Sequence, residues 1–145
     1  MDLHLLKLCV GADSIADLEQ WVRERVAERF RLRQSARSLH VTRMVPTRAA
    51  ELLQGGSLYW VIKGQVSARQ TLLDIEPFVD ASGVGRCRLW LEPEVVPVSP
   101  RPWRAFQGWR YLPAKDAPPD LASLAPGTID MPEDLRRELG ELGLL

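Results

Sequence analysis

Hydrophobic and polar positions along the chain follow two different periods, and together they predict an α+β fold. Residues 3–10 form a mostly apolar run that ends at Gly11, which predicts a strand. Apolar side chains then recur at steps of three and four residues, as on one buried face of a long helix that ends near Phe30. Ser14 and Asp17 have the spacing of a capping box at the start of this helix. Its apolar positions are Ile15, Leu18, Val22, Val26 and Phe30.

The middle of the chain predicts a strand, a short helix and a second strand. Residues 39–45 form the first strand, which Pro46 ends because proline cannot donate a ladder hydrogen bond. A short helix over residues 48–53 follows, with Thr47 as its candidate N-cap and a glycine pair at its end. The alternation of the next strand places Leu58, Trp60 and Ile62 on one face and Tyr59, Val61 and Lys63 on the other.

Four further strands complete the predicted sheet. Residues 66–79 and 86–91 flank an Ala-Ser-Gly turn and predict a hairpin. The prolines of residues 93–102 are typical of an edge strand, and a last short strand covers residues 106–112. We therefore expect residues 1–112 to form one α+β domain whose mostly antiparallel sheet is barrel-like and carries the long helix.

Residues 113–145 have a different character. Proline, aspartate and alanine dominate residues 113–130, which predicts an extended linker that lies on the surface or is disordered. A short amphipathic helix follows, with Pro132 in its first turn and an apolar stripe of Leu135, Leu139 and Leu142. This stripe must be buried on the body of the protein, on a partner or on a second copy.

Composition narrows the class of protein. The chain has 145 residues, of which 46% are hydrophobic and 26% charged, as expected of one soluble domain. No apolar run approaches the roughly 20 residues of a membrane-spanning helix, and the first residues lack a signal-peptide pattern. Cys9 and Cys87 lie in apolar runs without a CxxC partner, so we expect free, buried thiols in a reducing compartment, namely the cytoplasm.

The formal net charge is zero, but the charges are segregated along the chain. Residues 23–48 hold eight arginines against two glutamates, a local balance of +6, and residues 86–110 have a balance of +3. Residues 111–145 carry −4. Arginine offers a planar fork for phosphate and a face for stacking, although a GC-rich genome would also raise the arginine content.

The residue types of catalytic and metal sites do not form recognisable motifs. His4, His40 and the two cysteines are not paired at metal-ligand spacing, and nothing local activates either thiol as a nucleophile. Asp74 and Glu76 share a strand face, where solvated carboxylates are the commoner situation. No Gly-Lys-Ser/Thr sequence follows a glycine loop. We therefore predict no catalytic residue, no metal and no cofactor.

Basic residues beside aromatic residues predict a different function. Single-stranded nucleic acid is commonly held by a basic groove with stacking rings, each contributing ~1–3 kcal/mol per base. We expect Trp60 in the core and Trp103, between Pro102 and Arg104, at the surface. The predicted nucleic-acid-binding residues are Arg43, Arg48, Tyr59, Lys63, Trp103, Arg104, Trp109 and Arg110.

Several blocks of sequence resemble a single family. They are LHLLKLCVG from Leu3, HVTRM from His40, RAAELL followed by GGSLYWVIKG from Arg48, and FQGWRYL from Phe106. Over residues 3–120 the chain resembles an uncharacterised alphaproteobacterial family known only as a domain of unknown function. This resemblance implies no activity.

A second resemblance concerns the fold. A short helix over residues 49–56 and a strand over residues 57–63 resemble the opening of the PUA-like superfamily, which includes the ASCH and EVE domains. The resemblance implies a small β-barrel and the binding of RNA or modified bases. ASCH domains usually place a lysine, then a glutamate and an arginine, after the helix glycine. This chain has Ser57-Leu58-Tyr59-Trp60 there, so no hydrolase activity is implied.

Three functional hypotheses follow. The first is a cytoplasmic module that binds RNA or a modified nucleotide without catalysis. The second is a protein-interaction or homo-oligomerising module that uses Leu135, Leu139 and Leu142, and the third is an enzyme acting on a small substrate. Binding that weakens steeply with salt would favour the first hypothesis, because phosphate contacts release counterions. Loss of a partner on deletion of the C-terminal segment would favour the second.

Overall fold

The computed structural model describes residues 2–35 and 37–145 and contains seven strands and three α-helices within them. The strands are β1 (Leu3–Leu8), β2 (Ser38–Thr42), β3 (Ser57–Ile62), β4 (Gln65–Val79), β5 (Gly85–Leu91), β6 (Val96–Pro102) and β7 (Trp109–Pro113). The helices are α1 (Ile15–Arg31), α2 (Ala49–Leu52) and α3 (Glu133–Glu141). This content confirms the α+β class.

The seven strands form one sheet in the order β2-β5-β4-β3-β1-β7, with β6 paired to β4. Within the described residues β1 and β3 are the one parallel pair, which is possible because a long connection containing α1 separates them in the chain. Strand β4 is long enough to pair with β6 near its start and with β5 over its second half. The sheet is therefore mostly antiparallel, as predicted.

The predicted barrel is wrong in one respect, because the strand order is an open path from β2 to β7. Strand β2 is short and ends at Thr42, so the loop behind it approaches β7 without forming a ladder. The Trp109 indole Nε1 donates to the carbonyl oxygen of Met44 at 2.8 Å and joins the two ends of the sheet. The resemblance to the PUA-like superfamily is not confirmed.

Both faces of the sheet centre are buried. All six residues of β3 are buried, so both of the faces that its alternation defines are covered. Leu58, Trp60 and Ile62 pack with α1, as their shared face predicts. Tyr59 and Val61 pack on the opposite face in a second apolar cluster that includes residues of β6 and β7. The strand is enclosed because α1 covers one face and the chain from β6 onward covers the other.

Helix α1 begins where the sequence predicts. The Ser14 hydroxyl accepts from the Asp17 N–H at 3.1 Å, and the Asp17 carboxylate accepts from the Asp13 N–H at 3.0 Å. The first part of its apolar stripe is buried, but Phe30 is 74% exposed. The last turn of α1 therefore extends beyond the core.

Helix α2 differs from its predicted start. Its N-cap position is Arg48, without a side-chain cap, and not Thr47, whose hydroxyl lies 3.4 Å from the Tyr111 hydroxyl. The tight turn behind α2 requires Gly56, because a Cβ there would lie 2.3 Å from the carbonyl oxygens of Leu3 and Leu52. The glycine pair therefore ends the helix, as expected.

Residues 113–121, the first part of the segment predicted as an extended linker, pack along the body. The Ser99 N–H donates to the Pro119 carbonyl at 2.8 Å, and Leu121 is only 1% exposed. Asp120 accepts two hydrogen bonds from the Arg69 guanidinium, at 2.8 and 2.7 Å. The prolines of this segment thus hold an extended backbone along the body, and we call residues 113–121 the strap.

Helix α3 docks through a face that the leucine pattern does not indicate. Its buried residues are Arg136 and Gly140, whereas Leu135 is 43% and Leu142 is 69% exposed. Leu139 is half-buried. The Glu133 carboxylate accepts from the Ile15 N–H at 2.9 and 3.0 Å and so caps α1. The predicted stripe is therefore largely exposed.

Candidate functional site

A cavity of about 130 Å³ lies between α1 and the inner face of the sheet. Side chains of β1, α1, β2 and β3 converge on it because the open sheet bends around the helix. The lining residues that bear on its chemistry are Lys7, Trp21, Arg25, Ser38, His40 and Trp60.

An open groove continues from this cavity between α1 and β2. The groove has a volume of about 510 Å³ and shares Arg25, Leu39 and His40 with the cavity. Glu28 and Arg29 line its outer part. His40 therefore lies at the boundary between an inner cavity and a charged groove.

The wall of the cavity is held by a chain of polar contacts. Trp60 Nε1 donates to Gln70 Oε1 at 3.0 Å, and Gln70 Nε2 donates to the Glu92 carbonyl at 2.9 Å. The His40 ring meets the Trp60 ring edge-on at a centroid distance of 5.0 Å. His40 Nε2 is shielded from solvent and has no hydrogen-bond partner within the described residues. An unpaired buried polar atom costs about 1–3 kcal/mol of stability.

Burial sets the charge state of the cavity. Burial lowers the pKa of His40 to about 4, and the positive charges of Lys7 and Arg25 act in the same direction. Burial also raises the pKa of the Cys9 thiol to about 11 and lowers the pKa of Lys7. At neutral pH the imidazole and the thiol are both uncharged, and a thiol is a poor nucleophile compared with a thiolate. The arrangement favours binding over covalent chemistry by Cys9.

Two of the residues predicted to bind nucleic acid contact Tyr111, and a third, Arg43, precedes Met44, whose carbonyl accepts from Trp109. The Arg48 guanidinium lies 5.5 Å from the Tyr111 ring centroid and also pairs with Glu51 at 2.6 Å. Trp109 packs edge-on against Tyr111, with the ring centroids 4.8 Å apart. Its indole N–H donates to the carbonyl oxygen of Met44, the residue after Arg43. Arg43 is exposed, but Trp109 is buried and presents no ring to solvent.

A second group lies at the turn between β3 and β4. The Trp103 N–H donates to the Gly64 carbonyl at 2.9 Å, which places Trp103 beside the exposed Lys63. Trp103 is 38% exposed, so the prediction of a surface tryptophan is confirmed. Arg104 follows it and is exposed.

The remaining two predicted residues lie elsewhere. Tyr59 is 5% exposed on the opposite face of the sheet, where it packs edge-on against His4. Arg110 lies 5.1 Å from the Phe106 ring centroid and donates to carbonyls of its own loop. The structure thus divides the predicted set between several places and does not form one surface from it.

The cavity is adjacent to the group around Tyr111, which contains Arg48 and Trp109. Lys7 and Trp109 are paired residues of β1 and β7, so their side chains lie on the same face of the sheet. The sequence reasoning did not assign a function to Lys7, Arg25 or His40, because they lie far apart in the chain. The available signal was the arginine-rich stretch of residues 23–48, which contains both Arg25 and His40.

Among residues 2–35 and 37–145, no three His, Cys, Asp or Glu side chains are close enough to hold a metal ion. No helix there is long and apolar enough to cross a membrane.

The fold and the cavity define an α+β protein with a small polar cavity beneath its first helix. The family model described as "Protein of unknown function (DUF1489)" matches residues 5–145. The chain therefore belongs to this family, as the sequence blocks predicted. The match extends through α3, beyond the residues that carried the resemblance. No curated protein and no solved structure matches the chain.

Proposed function

We propose that the protein binds nucleic acid or a modified nucleotide by holding one base in the cavity beneath α1, without catalysing a reaction. The observation that carries this proposal is the cavity itself. It combines the aromatic side chains of Trp21 and Trp60 with the cationic side chains of Lys7 and Arg25.

The dimensions of the cavity suit one small planar ring system. A cavity of roughly 150 Å³ in another protein accommodates a benzene molecule, and this cavity has about 130 Å³. The indole rings of Trp21 and Trp60 contribute apolar wall area, and His40 and Ser38 contribute polar atoms. Such a mixture of apolar wall and few polar groups is typical of small-molecule sites.

The surroundings of the cavity suit a phosphate backbone. Arg25 lines both the cavity and the groove, and Arg29 lies further along the groove. Arg29 also stacks on the Trp90 ring at 4.6 Å, together with Arg37 at 4.2 Å. These arginines belong to the stretch with a balance of +6, whose positive potential attracts a polyanion.

The group around Tyr111 extends this positive region on the other side of the cavity. Lys7 connects the two, because it lines the cavity and is paired with Trp109. In this proposal Arg43 and Arg48 contribute charge at the rim and do not stack on bases. Lys63, Trp103 and Arg104 form a separate exposed group away from the cavity, and this group supplies the control variant for the test below.

The test is the binding of a labelled single-stranded RNA of mixed sequence, measured by fluorescence anisotropy at several salt concentrations. We expect the double variant Arg25→Ala/Arg29→Ala to weaken binding about tenfold or more at low salt. Two lost phosphate contacts should reduce the slope of log K against log salt by about 1.4, at roughly 0.7 per contact for a single strand.

The matched control is Lys63→Ala/Arg104→Ala, which removes the same formal charge away from the cavity. This variant should change the affinity by less than about twofold. An equal loss in both double variants would show that only net charge matters, and absence of binding by the wild type would refute the proposal.

The exposed leucines favour a second candidate function, namely association with a protein or with a second copy. Helix α3 is held by its opposite face, which leaves Leu135 and Leu142 in solvent. Light scattering of the wild type and of Leu135→Glu/Leu142→Glu tests self-association. A dimeric wild type with a monomeric variant would support this candidate, and a monomeric wild type would contradict self-association.

A further inference from the structure

We infer that a second pocket, on the face of the sheet opposite to the cavity, binds the carboxamide group of an uncharged small molecule. This pocket has a volume of about 390 Å³ and lies between the sheet and the strap. The strap contributes Asp120 and a wall of prolines and alanines. The inference goes beyond the proposed function, because the pocket and the cavity share no residue. The other polar residues that line the pocket are Asp2, His4, Ser57, Tyr59 and Arg69.

The sheet brings these side chains together because they lie at alternate positions on one face of three neighbouring strands. Tyr59 of β3 is paired with Arg69 of β4 and with Leu6 of β1, so His4, two residues before Leu6, points to the same face. The rings of His4 and Tyr59 meet edge-on with centroids 5.0 Å apart. Tyr59 is 5% and His4 is 7% exposed, so both belong to the floor of the pocket.

The His4 imidazole is held as a neutral hydrogen-bond donor. The Ser57 N–H donates to His4 Nδ1 at 3.0 Å, so the ring proton is on Nε2. Burial lowers the pKa of His4, and the imidazole is therefore uncharged at neutral pH. Neither Nε2 nor the Tyr59 hydroxyl has a hydrogen-bond partner within the described residues, and neither is among the shielded, unpaired atoms found there. The pocket thus offers two neutral donors to an oxygen of a ligand.

The charged residues of the pocket disfavour an anionic ligand. The Arg69 guanidinium donates to both oxygens of Asp120, at 2.8 and 2.7 Å, so the pair has no net charge. The Asp2 carboxylate adds one negative charge to the lining.

The same carboxylates provide acceptors for a ligand N–H. Each Asp120 oxygen keeps a lone pair beyond its bond to Arg69. A carboxamide suits this combination of neutral donors and acceptors, because its oxygen accepts and its NH₂ group donates. A carboxylate of the same shape brings only acceptors and a second negative charge, so we expect the pocket to reject it.

The experiment titrates the ¹⁵N-labelled full chain with benzamide and with benzoate, which have nearly the same shape. The reporter is the NMR signal of the Ser57 amide, because this N–H is bonded to His4. Benzamide should shift the signal with a dissociation constant of roughly 10 mM or less, the affinity expected of so small a molecule. Benzoate should bind at least about tenfold more weakly, because it lacks the N–H donor and is repelled by the carboxylates.

Two substitutions test the donors, and a third is the matched control. Tyr59→Phe keeps the buried ring and should weaken benzamide binding about fivefold, as expected for the loss of one hydrogen bond between neutral groups. His4→Asn keeps an acceptor for the Ser57 N–H, removes the Nε2 donor and should have a similar effect. Tyr111→Phe removes a hydroxyl that lies beside Arg48, outside the pocket, and should leave the affinity unchanged.

Each outcome bears on the inference. Benzoate binding as tightly as benzamide would overturn the choice of a carboxamide. Equal effects of Tyr59→Phe and Tyr111→Phe would show that the pocket is not the site. Absence of any Ser57 shift at benzamide concentrations several times the expected dissociation constant would overturn the inference as a whole. RNA binding is measured separately, so none of these results changes the proposed function. The folded state of each variant is checked by circular dichroism and thermal unfolding.

Discussion

The imidazole of His40 meets the indole of Trp60 edge-on, with ring centroids 5.0 Å apart and ring planes at 89°. Strands β2 and β3, which carry them, are separated in the sheet by β5 and β4. The contact is possible because the open sheet bends around α1. The His40 imidazole is buried at this contact, and its Nε2 has no hydrogen-bond partner within the described residues. Burial is therefore the main cause of its lowered pKa.

We expect the protein to lose stability as the pH falls from about 6.5 toward 4, because of His40. The pKa of His40 is about 4 in the folded protein and has its ordinary value of 6.5 in the unfolded chain. The unfolded state therefore binds more protons in this window, so the free energy of unfolding decreases as the pH falls. Each pKa unit corresponds to about 1.4 kcal/mol, which gives roughly 3 kcal/mol for the whole window.

Urea unfolding of the wild type and of His40→Gln between pH 4 and 7 measures this effect. The variant should show a flatter dependence of the free energy of unfolding on pH. Burial also lowers the pKa of His4, so a slope remains in both proteins and the difference between the two curves isolates His40. Identical slopes would contradict the charge state assigned to the cavity.

A second prediction concerns the hydrogen bond between the two ends of the sheet. Trp109→Phe removes the indole N–H that donates to the Met44 carbonyl, and we expect a loss of about 1–3 kcal/mol in the free energy of unfolding. Trp103→Phe is the matched control, because its ring is partly exposed and surface changes usually stay within about 0.5 kcal/mol. Chemical denaturation measures the free energy of unfolding of both variants. Equal losses would show that the hydrogen bond from Trp109 to the Met44 carbonyl does not stabilise the fold.

Local features of this fold were predictable from the sequence, because local residues determine them. The start of α1 follows from the spacing of Ser14 and Asp17, and the turn after α2 follows from the glycine pair. The face of Trp60 follows from the alternation of β3. The hairpin of β4 and β5 also agrees with the sequence pattern, and β6 pairs with one strand, β4, while its other side bonds the strap.

Features that depend on contacts between distant residues were not predictable. Lys7, Arg25 and His40 come from different elements and meet only because β1 pairs in parallel with β3 and the sheet bends. The alternation of β3 marks two faces but does not reveal that both are covered, so Tyr59 was expected in the binding set although it is buried.

The third prediction concerns the strap, residues 113–121, and its ion pair. Asp120→Asn should cost about 1.5–3 kcal/mol, because Arg69 would lose a charged acceptor in a partly buried place. The Arg69 guanidinium holds the pKa of Asp120 below its usual range, so this contribution is lost as the pH falls. Hydrogen exchange of residues 113–125 should accelerate in the variant. Asp116→Asn, at an exposed position, is the control. Equal exchange in the wild type and both variants would show that the ion pair with Arg69 does not hold the strap in place.

The last prediction tests the orientation of α3. Alanine is usually better than glycine in a helix by about 0.8–1.0 kcal/mol, so helix propensity alone would make Gly140→Ala stabilising. In the structure a Cβ at this position would lie 2.9 Å from Pro100 Cγ and 3.1 Å from the Pro100 carbonyl oxygen. The proline ring and the backbone of β6 cannot move aside easily, so we expect a net loss of about 1–3 kcal/mol in the free energy of unfolding.

Glu141→Ala is the matched control for this helix, because its side chain is exposed and should change stability by less than about 0.5 kcal/mol. Thermal or urea unfolding measures the stability of the two variants relative to the wild type. Stabilisation by Gly140→Ala would mean that α3 does not rest on Pro100. The leucine stripe could then be its docking face, and the exposure of Leu135 and Leu142 would no longer support an interaction surface.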